Sequence, residues 1–293
     1  MSETRGMTRR DFVRHTMGTA LAAPALAGLG VEAYQPRPSR ASLVTLVRDA
    51  KALNASHDVD AAVLGRMLDD TVMRATGERT PRAAWLSLFK PTDTVGLVST
   101  SVLNPTHPEV IAAVRQRLVD AGIPAQQIRE AQRSIETVRA STALLCLPAL
   151  KAHWLTGIGT VLKNYIMFSG KPTAYHDANN ANLGEIWTLP DVRGKTRLIL
   201  VDALRPLCDK GPQPDPRYQW DYNGLMAGTD PVAMDAIGLR IIMEKRRLLR
   251  GEPWPLSPAP LCVAAADEKF GLGTSRMEEI TLQRAGWEQD ILI

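Results

Sequence analysis

The segment Arg197–Val201, with the sequence Arg-Leu-Ile-Leu-Val, constrains the fold more than any other part of the chain. Four apolar residues in a row predict a strand that is buried on both faces, which is typical of the interior of a parallel sheet. Further strands are predicted at Thr94–Ser99 and Ala143–Leu147, and a helix at Pro108–Ala121 lies between them. Strands that alternate with helices favour an α/β fold with parallel strand pairs.

The region before these strands is predicted to be helical. Apolar residues recur at helical spacing in Leu43–Leu53 and in Val59–Thr76. Asp58 is a candidate N-cap for the second helix, and Gly77 is expected to end it. A third, short helix is predicted at Pro81–Lys90. We therefore expect a mixed, largely parallel sheet flanked by helices, preceded by an N-terminal helical segment.

A second helix signal lies in the carboxyl-terminal third of the chain. Asp230 is expected to accept hydrogen bonds from free backbone amides as an N-cap, and Pro231 suits the first helical position. The helix should continue to about Leu248. The preceding segment, Pro206–Gly228, is rich in proline and glycine and is predicted to be a long irregular loop of the kind that often lines a site.

The amino terminus carries the features of an export signal. Residues Thr8–Arg14 read Thr-Arg-Arg-Asp-Phe-Val-Arg, and Thr16–Val31 is rich in alanine, leucine and glycine. This pattern predicts a twin-arginine signal, and hence the export machinery as a partner and the periplasm as the destination. The apolar stretch is shorter than the ~20 residues that a membrane-spanning helix needs. Cleavage after Ala27 and cleavage after Ala33 both suit the small-residue rule.

The predicted organisation is a signal and cleavage region at 1–33, an arm with helices at 34–90, and an α/β domain at 91–293.

Composition excludes several classes of protein. Few residues are aromatic (5%) and the net charge is only +4, so a nucleic-acid binder is disfavoured. No later stretch is apolar enough to suggest a membrane span after processing. The three cysteines lie far apart in the sequence, so neither a zinc ribbon nor an intrinsic iron–sulfur cluster is expected. Cys146 is predicted to be a buried core residue.

The densest cluster of chemically active residues follows the Ala143–Leu147 strand, where open α/β sheets commonly bind ligands. It comprises Lys151, His153, Thr156, Gly157, Gly159, Lys163 and Asn164. If Thr156 caps a helix that begins near Gly157, the free amides and the two lysines form a cradle for a phosphate or carboxylate. The alternative is that the glycines allow tight packing, the lysines are solvated and His153 is an ordinary loop histidine.

Other polar residues are weaker candidates. His107 precedes a predicted helix, where a turn role competes with a ligand role. His176 lies in an asparagine-rich loop that offers ligands or merely turns. Asp202 is expected at the carboxyl end of the Arg197–Val201 strand, a usual position for a metal ligand or a general acid–base group. Asp235 follows Asp230 and is a candidate for the same rim, although a first-turn carboxylate on a helix needs no function.

Several of these motifs, taken in order, resemble one uncharacterised family, the domain of unknown function numbered 362, in its twin-arginine-exported branch. They are Thr106-His107-Pro108-Glu109, Lys151-x-His153-x-x-Thr156-Gly157, Leu162-Lys163-Asn164, Gly211-Pro212-Gln213, Asp230-Pro231-Val232-Ala233-Met234-Asp235 and Phe270-Gly271-Leu272-Gly273. The resemblance covers roughly residues 80 to 285 and implies an α/β domain without a settled reaction. Some members carry ferredoxin-type cysteine clusters, which this chain lacks, so an iron–sulfur role would require a partner protein.

Two departures from the family pattern concern the same predicted pocket. Val98-Ser99-Thr100 stands where the family tends to have Lys-x-Asn, and Gln132-Arg133 stands where it often has Asp-Arg. A lysine and a carboxylate are therefore missing. The departures imply either a different ligand or a loss of activity.

Three functional hypotheses follow, and the third is a purely structural partner protein. In the first, the protein is a periplasmic enzyme: Lys151 and Lys163 hold a small anion, His153 and Lys163 supply acid–base chemistry, and Asp202 or Asp235 orients the histidine or binds a metal. Thr156, Gly157, Asn164 and His176 complete the predicted ligand site. In the second, the same site binds a ligand or cofactor without turnover, as an accessory protein of a periplasmic redox system. The sequence does not identify a cofactor or a metal.

Overall fold

Nine strands form the sheet in the computed structural model, which describes residues 41–293. The predicted export signal and both cleavage sites lie outside the described residues. The strands are β1 (Ser42–Arg48), β2 (Val95–Ser99), β3 (Ile128–Glu130), β4 (Ala143–Leu147), β5 (Ala149–His153), β6 (Gly157–Ile158), β7 (Thr196–Leu207), β8 (Gly224–Gly228) and β9 (Ile280–Gly286).

The sheet has the order β3-β2-β4-β7-β8-β1-β9, and β5 pairs with both β7 and β6. Most pairs are parallel, including β2 with β4 and β4 with β7, whereas β8 is antiparallel to β7 and to β1. Pro148 separates β4 from β5, and both strands lie along the same side of the long strand β7. The expected mixed, largely parallel α/β sheet is confirmed.

Helices cover both faces of this sheet. They are α1 (Ala61–Thr76), α2 (Pro81–Leu88), α3 (Pro108–Asp120), α4 (Ile135–Ala140), α5 (Gly184–Trp187), α6 (Pro231–Arg250) and α7 (Leu261–Glu268). The first three share one apolar core with alternate residues of the strands. The last four pack into a second core on the opposite face. Because strand side chains alternate between faces, the central strands have to be apolar throughout.

Local signals placed several helix ends correctly. Asp230 accepts hydrogen bonds from the amides of Val232 and Ala233, and Pro231 begins α6. Gly77 ends α1 in the left-handed conformation, with φ of 75°. The N-cap of α1 is Asp60 rather than Asp58, since the Asp60 carboxylate accepts from the first free amides of the helix.

The predicted helix at Leu43–Leu53 is wrong, because this segment contains strand β1. Val44, Thr45 and Val47 are β-branched, which favours a pleated backbone. The strand lies between β8 and β9, and its residues from Val44 onwards are buried. A short apolar run that is buried on both faces has no clear period, so spacing alone could not distinguish strand from helix.

The prediction of a continuous loop at Pro206–Gly228 is also wrong at both ends. Strand β7 continues to Leu207, and Gly224–Gly228 forms β8. Asp202 therefore lies in the middle of β7 and not at its carboxyl end. The apolar run that identified this strand covers less than half of it, since polar residues interrupt the second half.

The connections between strands create one crevice at the carboxyl edge of the sheet. The chain leaves β2 towards β3 on one side, and it leaves β4 towards β7 on the other side. Adjacent parallel strands whose connections diverge in this way leave an opening beyond their carboxyl ends, where α/β proteins bind ligands.

Candidate functional site: a cationic pocket

A cavity of about 150 Å³ occupies this crevice. Four predicted site residues line it together: Lys151, His153, Lys163 and Asn164. Arg133 supplies a third cation, and no aspartate or glutamate is among the described lining residues. We call this cavity, with the five residues just named, the cationic pocket.

Lys151 lies at the buried end of the cationic pocket. Strand β5 carries it, its side chain is 4% exposed, and its ammonium donates to the backbone oxygen of Asn104 at 2.9 Å. Burial lowers the pKa of Lys151 to about 7; the carboxylate of Asp202 opposes this shift and Lys163 adds to it. Burial of the Lys151 ammonium therefore outweighs its attraction to Asp202.

Lys163 approaches the pocket from the segment after β6. Its Nζ lies 2.9 Å from Nε2 of His176, and burial lowers the pKa of Lys163 to about 8. Burial and the positive charge of Lys163 also lower the pKa of His176. A neutral His176 can accept the hydrogen bond from the Lys163 ammonium. His176, predicted as a ligand contact, thus orients Lys163.

His153 is held in one neutral form. Its Nδ1 accepts a hydrogen bond from the amide of Leu155 at 3.1 Å, which assigns the ring proton to Nε2. Burial, followed by the charge of Lys163, lowers the pKa of His153 to about 2. A ring fixed as a neutral donor fits a hydrogen bond to a ligand better than the predicted proton transfer.

The predicted helix at Thr156 is absent from the described structure, and a short strand stands in its place. Residues Gly157–Ile158 form β6, antiparallel to β5, and the Thr156 hydroxyl donates to the backbone oxygen of Ile158. Further along the chain, the backbone amides of Val161 and Leu162 each donate to the carboxylate of Asp235 at 2.8 Å. The prediction of a helix that offers bare amides to an anion is therefore wrong.

Asp235 also has a different role from the predicted one. Its side chain is completely buried in α6, outside the pocket, so it does not contact a ligand there. Burial raises the pKa of Asp235 to about 7, and the amides of Leu162 and Val161 oppose this shift by stabilising the carboxylate. Asp235 is a positioning residue, because it fixes the turn that leads into Lys163.

The two glycines of the predicted cradle serve packing. A β-carbon on Gly157 would lie 2.7 Å from the backbone nitrogen of Pro260, and one on Gly159 would lie 2.9 Å from the Cβ of His153. Gly157 has a φ of 75°, which side-chain-bearing residues rarely adopt. The assignment of Gly157 as a ligand contact is not supported, since the backbone of 258–260 already covers it.

Replacing Gly157 with alanine is therefore expected to lower the free energy of unfolding by about 2 kcal/mol or more, because it adds left-handed strain to a clash with backbone. Urea unfolding followed by circular dichroism measures this change. Gly170→Ala is the matched control, since Gly170 has a similar φ of 70° and nothing within 4 Å of its β-carbon position. Equal losses in the two variants would show that strain acts alone and that the close packing at Gly157 contributes nothing.

Asp202 lies outside the cationic pocket and is not paired with His153. Its Oδ2 accepts from both Nδ1 and the backbone amide of His107, each at 2.7 Å, and its Oδ1 accepts from the amide of Leu204. Burial lowers the pKa of His107, but the hydrogen bond and the charge of Asp202 outweigh it, so the net shift is upwards. This contact ties the start of α3 to β7, which fits the turn role of His107.

A comparison with family models relates the middle of this chain to one family. Residues 111–240 match the model described as Domain of unknown function (DUF362). This segment is similar to the DUF362 family. The family resemblance predicted from the motifs is therefore confirmed, whereas nothing in the match bears on an exported branch. Searches of the curated proteins and of the solved structures gave no match.

The DUF362 segment contains most but not all of the cationic pocket. It runs from α3 into α6 and includes Lys151, His153, Lys163, Asn164 and Arg133. Ser99, the last residue of β2, and the next four residues, 100–103, also line the pocket and precede this segment. Both departures from the family pattern line the pocket, through Ser99 and Thr100 and through Gln132 and Arg133. The substituted positions therefore belong to the same site as the retained lysines.

Several residues that line the cationic pocket were not predicted from the sequence. Arg133 was noted only within a departure, and four apolar lining residues, Val102, Leu103, Ile166 and Met167, were not singled out. The position of the Gln132–Arg133 pair in the family pattern was a usable signal for Arg133. The apolar residues gave none, because they lie on irregular segments without a period.

Other predictions concern metals, cysteines and membranes. Within residues 41–293, no group of three or more histidine, cysteine, aspartate or glutamate side chains could hold a metal ion. All three cysteines are buried and free of disulfides, as expected for Cys146. In the same residues, every helix falls short of the length and apolarity needed to cross a membrane.

Proposed function

We propose that the cationic pocket binds a small anionic ligand through a phosphate or carboxylate group. The observation that carries this proposal is the charge of the pocket: Lys151, Lys163 and Arg133 line it, and no carboxylate is found among its described lining residues. The charge of Lys163 lowers the pKa of Lys151, and a bound anion would relieve the repulsion between these two cations.

The lowered pKa values of the lysines support the same proposal. Burial lowers the pKa of Lys151 to about 7, which Asp202 offsets only in part, and it lowers the pKa of Lys163 to about 8. An anion placed between them would stabilise both ammonium forms. The Nε2 proton of His153 adds a neutral donor to the site.

The geometry favours ligand binding over catalysis at His153. The Leu155 amide occupies Nδ1 of His153, and Asp202 and Asp235 are engaged elsewhere. Turnover would rest on Lys163, because its pKa of about 8 lies in the range useful for acid–base catalysis and its Nζ contacts a histidine, whereas the Lys151 ammonium already donates to the backbone oxygen of Asn104. The twin-arginine pattern at Thr8–Arg14 supports action in the periplasm after export. There the protein would act as an anion-binding protein. The alternative is an accessory protein of a redox system.

Titration calorimetry of the protein with inorganic phosphate and with acetate tests the proposal. Lys163→Ala is expected to weaken the binding of whichever anion binds by about 10- to 100-fold, the effect of losing a hydrogen bond from a charged group. Lys90→Ala is the matched control, because it removes the same charge from an exposed site outside the pocket. The proposal fails if neither anion binds, or if both variants change the affinity equally.

A further inference from the structure

Apolar side chains surround the mouth of the cationic pocket. Val102, Leu103 and Met167 line it and are 45%, 44% and 37% exposed, and Ile166 lies beside them. Residues 41–293 contain eight large apolar side chains that are this exposed, and three of them meet at this one cavity. Exposed apolar groups that cluster at a cavity mark a place where a ligand or partner binds.

The loop that carries Val102 and Leu103 is held in place by the pocket itself. Leu103 has a φ of 57° and Asn104 a φ of 61°, which is an unfavourable conformation for leucine. The Lys151 ammonium donates to the backbone oxygen of Asn104, and the Gln219 amide donates to its side chain. The cation at the base of the pocket thus fixes the loop that presents the apolar groups at its mouth.

These two features describe a ligand with two chemically distinct ends. The cations lie inside the cavity and call for an anion, whereas the exposed apolar groups at its mouth call for a hydrocarbon segment. An apolar protein surface would cover the mouth but would leave the cations inside without a counter-charge. A bare phosphate or acetate would leave the apolar groups in water.

We propose that the natural ligand is an amphiphilic anion, whose phosphate or carboxylate head contacts Lys151 and Lys163 and whose unbranched hydrocarbon segment packs on Val102, Leu103 and Met167. This inference rests on the proposed function, which supplies the head-group site. It adds the chemical class of the ligand: monoalkyl phosphates or alkyl carboxylates, bound as single molecules.

A homologous ligand series tests the tail. The probes are inorganic phosphate with ethyl, butyl and hexyl phosphate, and acetate with butanoate and hexanoate, each titrated into the protein below its micellar concentration. Affinity is expected to rise by up to about fourfold for each added methylene, since burying one methylene is worth about 0.8 kcal/mol. The increase should stop once the tail extends beyond the apolar residues.

The combined variant Val102→Ser, Leu103→Asn and Met167→Gln is expected to remove this chain-length dependence, so that hexyl and ethyl phosphate bind almost equally. Asparagine suits position 103 because it tolerates the left-handed conformation. Leu248→Ser is the matched control: Leu248 is 54% exposed but lies on α6 and does not line the pocket, so its variant should keep the full chain-length dependence. Lys163→Ala should weaken all members of a series in parallel.

The outcomes separate this inference from the proposed function. If inorganic phosphate or acetate binds but affinity is independent of chain length, the amphiphile is excluded and the anion site stands. If no anion of either series binds, both proposals fall. Binding to phosphatidic acid vesicles without any binding of the free alkyl phosphates would assign the site to a membrane surface and would overturn the inference. Sedimentation velocity tests whether the protein dimerises through the apolar residues. If the combined variant disrupts a dimer and ligand affinity does not depend on chain length, the apolar residues serve self-association and the inference is overturned.

Discussion

Replacing Asp235 with alanine is expected to lower the free energy of unfolding by about 3 kcal/mol or more and to abolish anion binding in the cationic pocket. The substitution leaves the amides of Val161 and Leu162 buried without acceptors, and each unpaired group costs about 1–3 kcal/mol. Removal of the carboxylate also releases the turn that leads into Lys163 and Asn164. Urea unfolding measures the first effect, and titration calorimetry with phosphate and acetate measures the second.

Two further variants make this prediction specific. Asp235→Asn keeps the shape and one acceptor, so a smaller loss of stability and of affinity is expected. Asp230→Asn is the control on the same helix, because Asp230 also accepts from backbone amides, those of Val232, Ala233 and Thr274, but lies at the start of α6, where it caps the helix and does not hold the Lys163 segment. It should lower stability without lowering affinity. An Asp235→Ala protein that folds and binds anions as tightly as the parent would refute the positioning role.

The affinity for acetate is expected to fall by up to about 1000-fold between pH 6 and pH 9. The ammonium forms of Lys151 and Lys163 bind the anion, and their pKa values in the ligand-free protein are about 7 and about 8. Both lysines are charged below pH 7 and both are neutral above pH 8, so the affinity is high on the acid side and falls as the pH rises. Each lost proton lowers the affinity by up to about tenfold per pH unit. Acetate is the suitable probe because its own charge stays constant in this range.

A lysine variant separates the two contributions. Lys163→Met should leave a single step that belongs to Lys151, and this step should lie above pH 7, because the charge of Lys163 lowers the pKa of Lys151 in the parent protein. Lysines with their ordinary pKa near 10.4 would instead give a flat profile up to about pH 9. A flat profile in the parent protein would therefore show that burial does not act on these lysines as described.

The same pKa shifts predict the opposite trend for the stability of the ligand-free protein. The pKa of each lysine is lower in the folded state than in the unfolded chain, so the unfolded chain binds more protons between about pH 7 and pH 10. The free energy of unfolding should therefore rise with pH in this window as far as these two groups are concerned. Saturating acetate should weaken the trend, because the anion raises both pKa values.

The parts of the fold that were predicted correctly depend on neighbours in the chain. Asp230 with Pro231, and Gly77 after α1, are capping signals that act within a few residues, and the boundaries predicted for β4 are those observed. The grouping of Lys151, His153, Lys163 and Asn164 in one cavity could also be predicted. Their position after β4 suffices, because the carboxyl ends of parallel strands share one edge of the sheet.

The parts that were wrong depend on residues distant in the sequence. Strand β1 was predicted to be a helix because β8 and β9, the strands that pair with its two edges, come from distant parts of the chain. The amides predicted to hold an anion are satisfied by Asp235, more than 70 residues away. Spacing in a sequence identifies groups that can bind, but it does not reveal which internal partner already occupies them.

The sequence by itself determined the α/β class, the family resemblance and the cations of the candidate site, because strand periodicity, capping and residue type are local properties. Only the tertiary structure decided which donors remain available to a ligand: it engaged the amides of 161 and 162 with Asp235, fixed His153 as a neutral donor through Leu155, and brought Arg133 and the apolar side chains of 102, 103 and 167 to the same cavity. The physical reason is that a buried polar group must be paired within the fold, and the partner that pairs it is set by packing between distant segments.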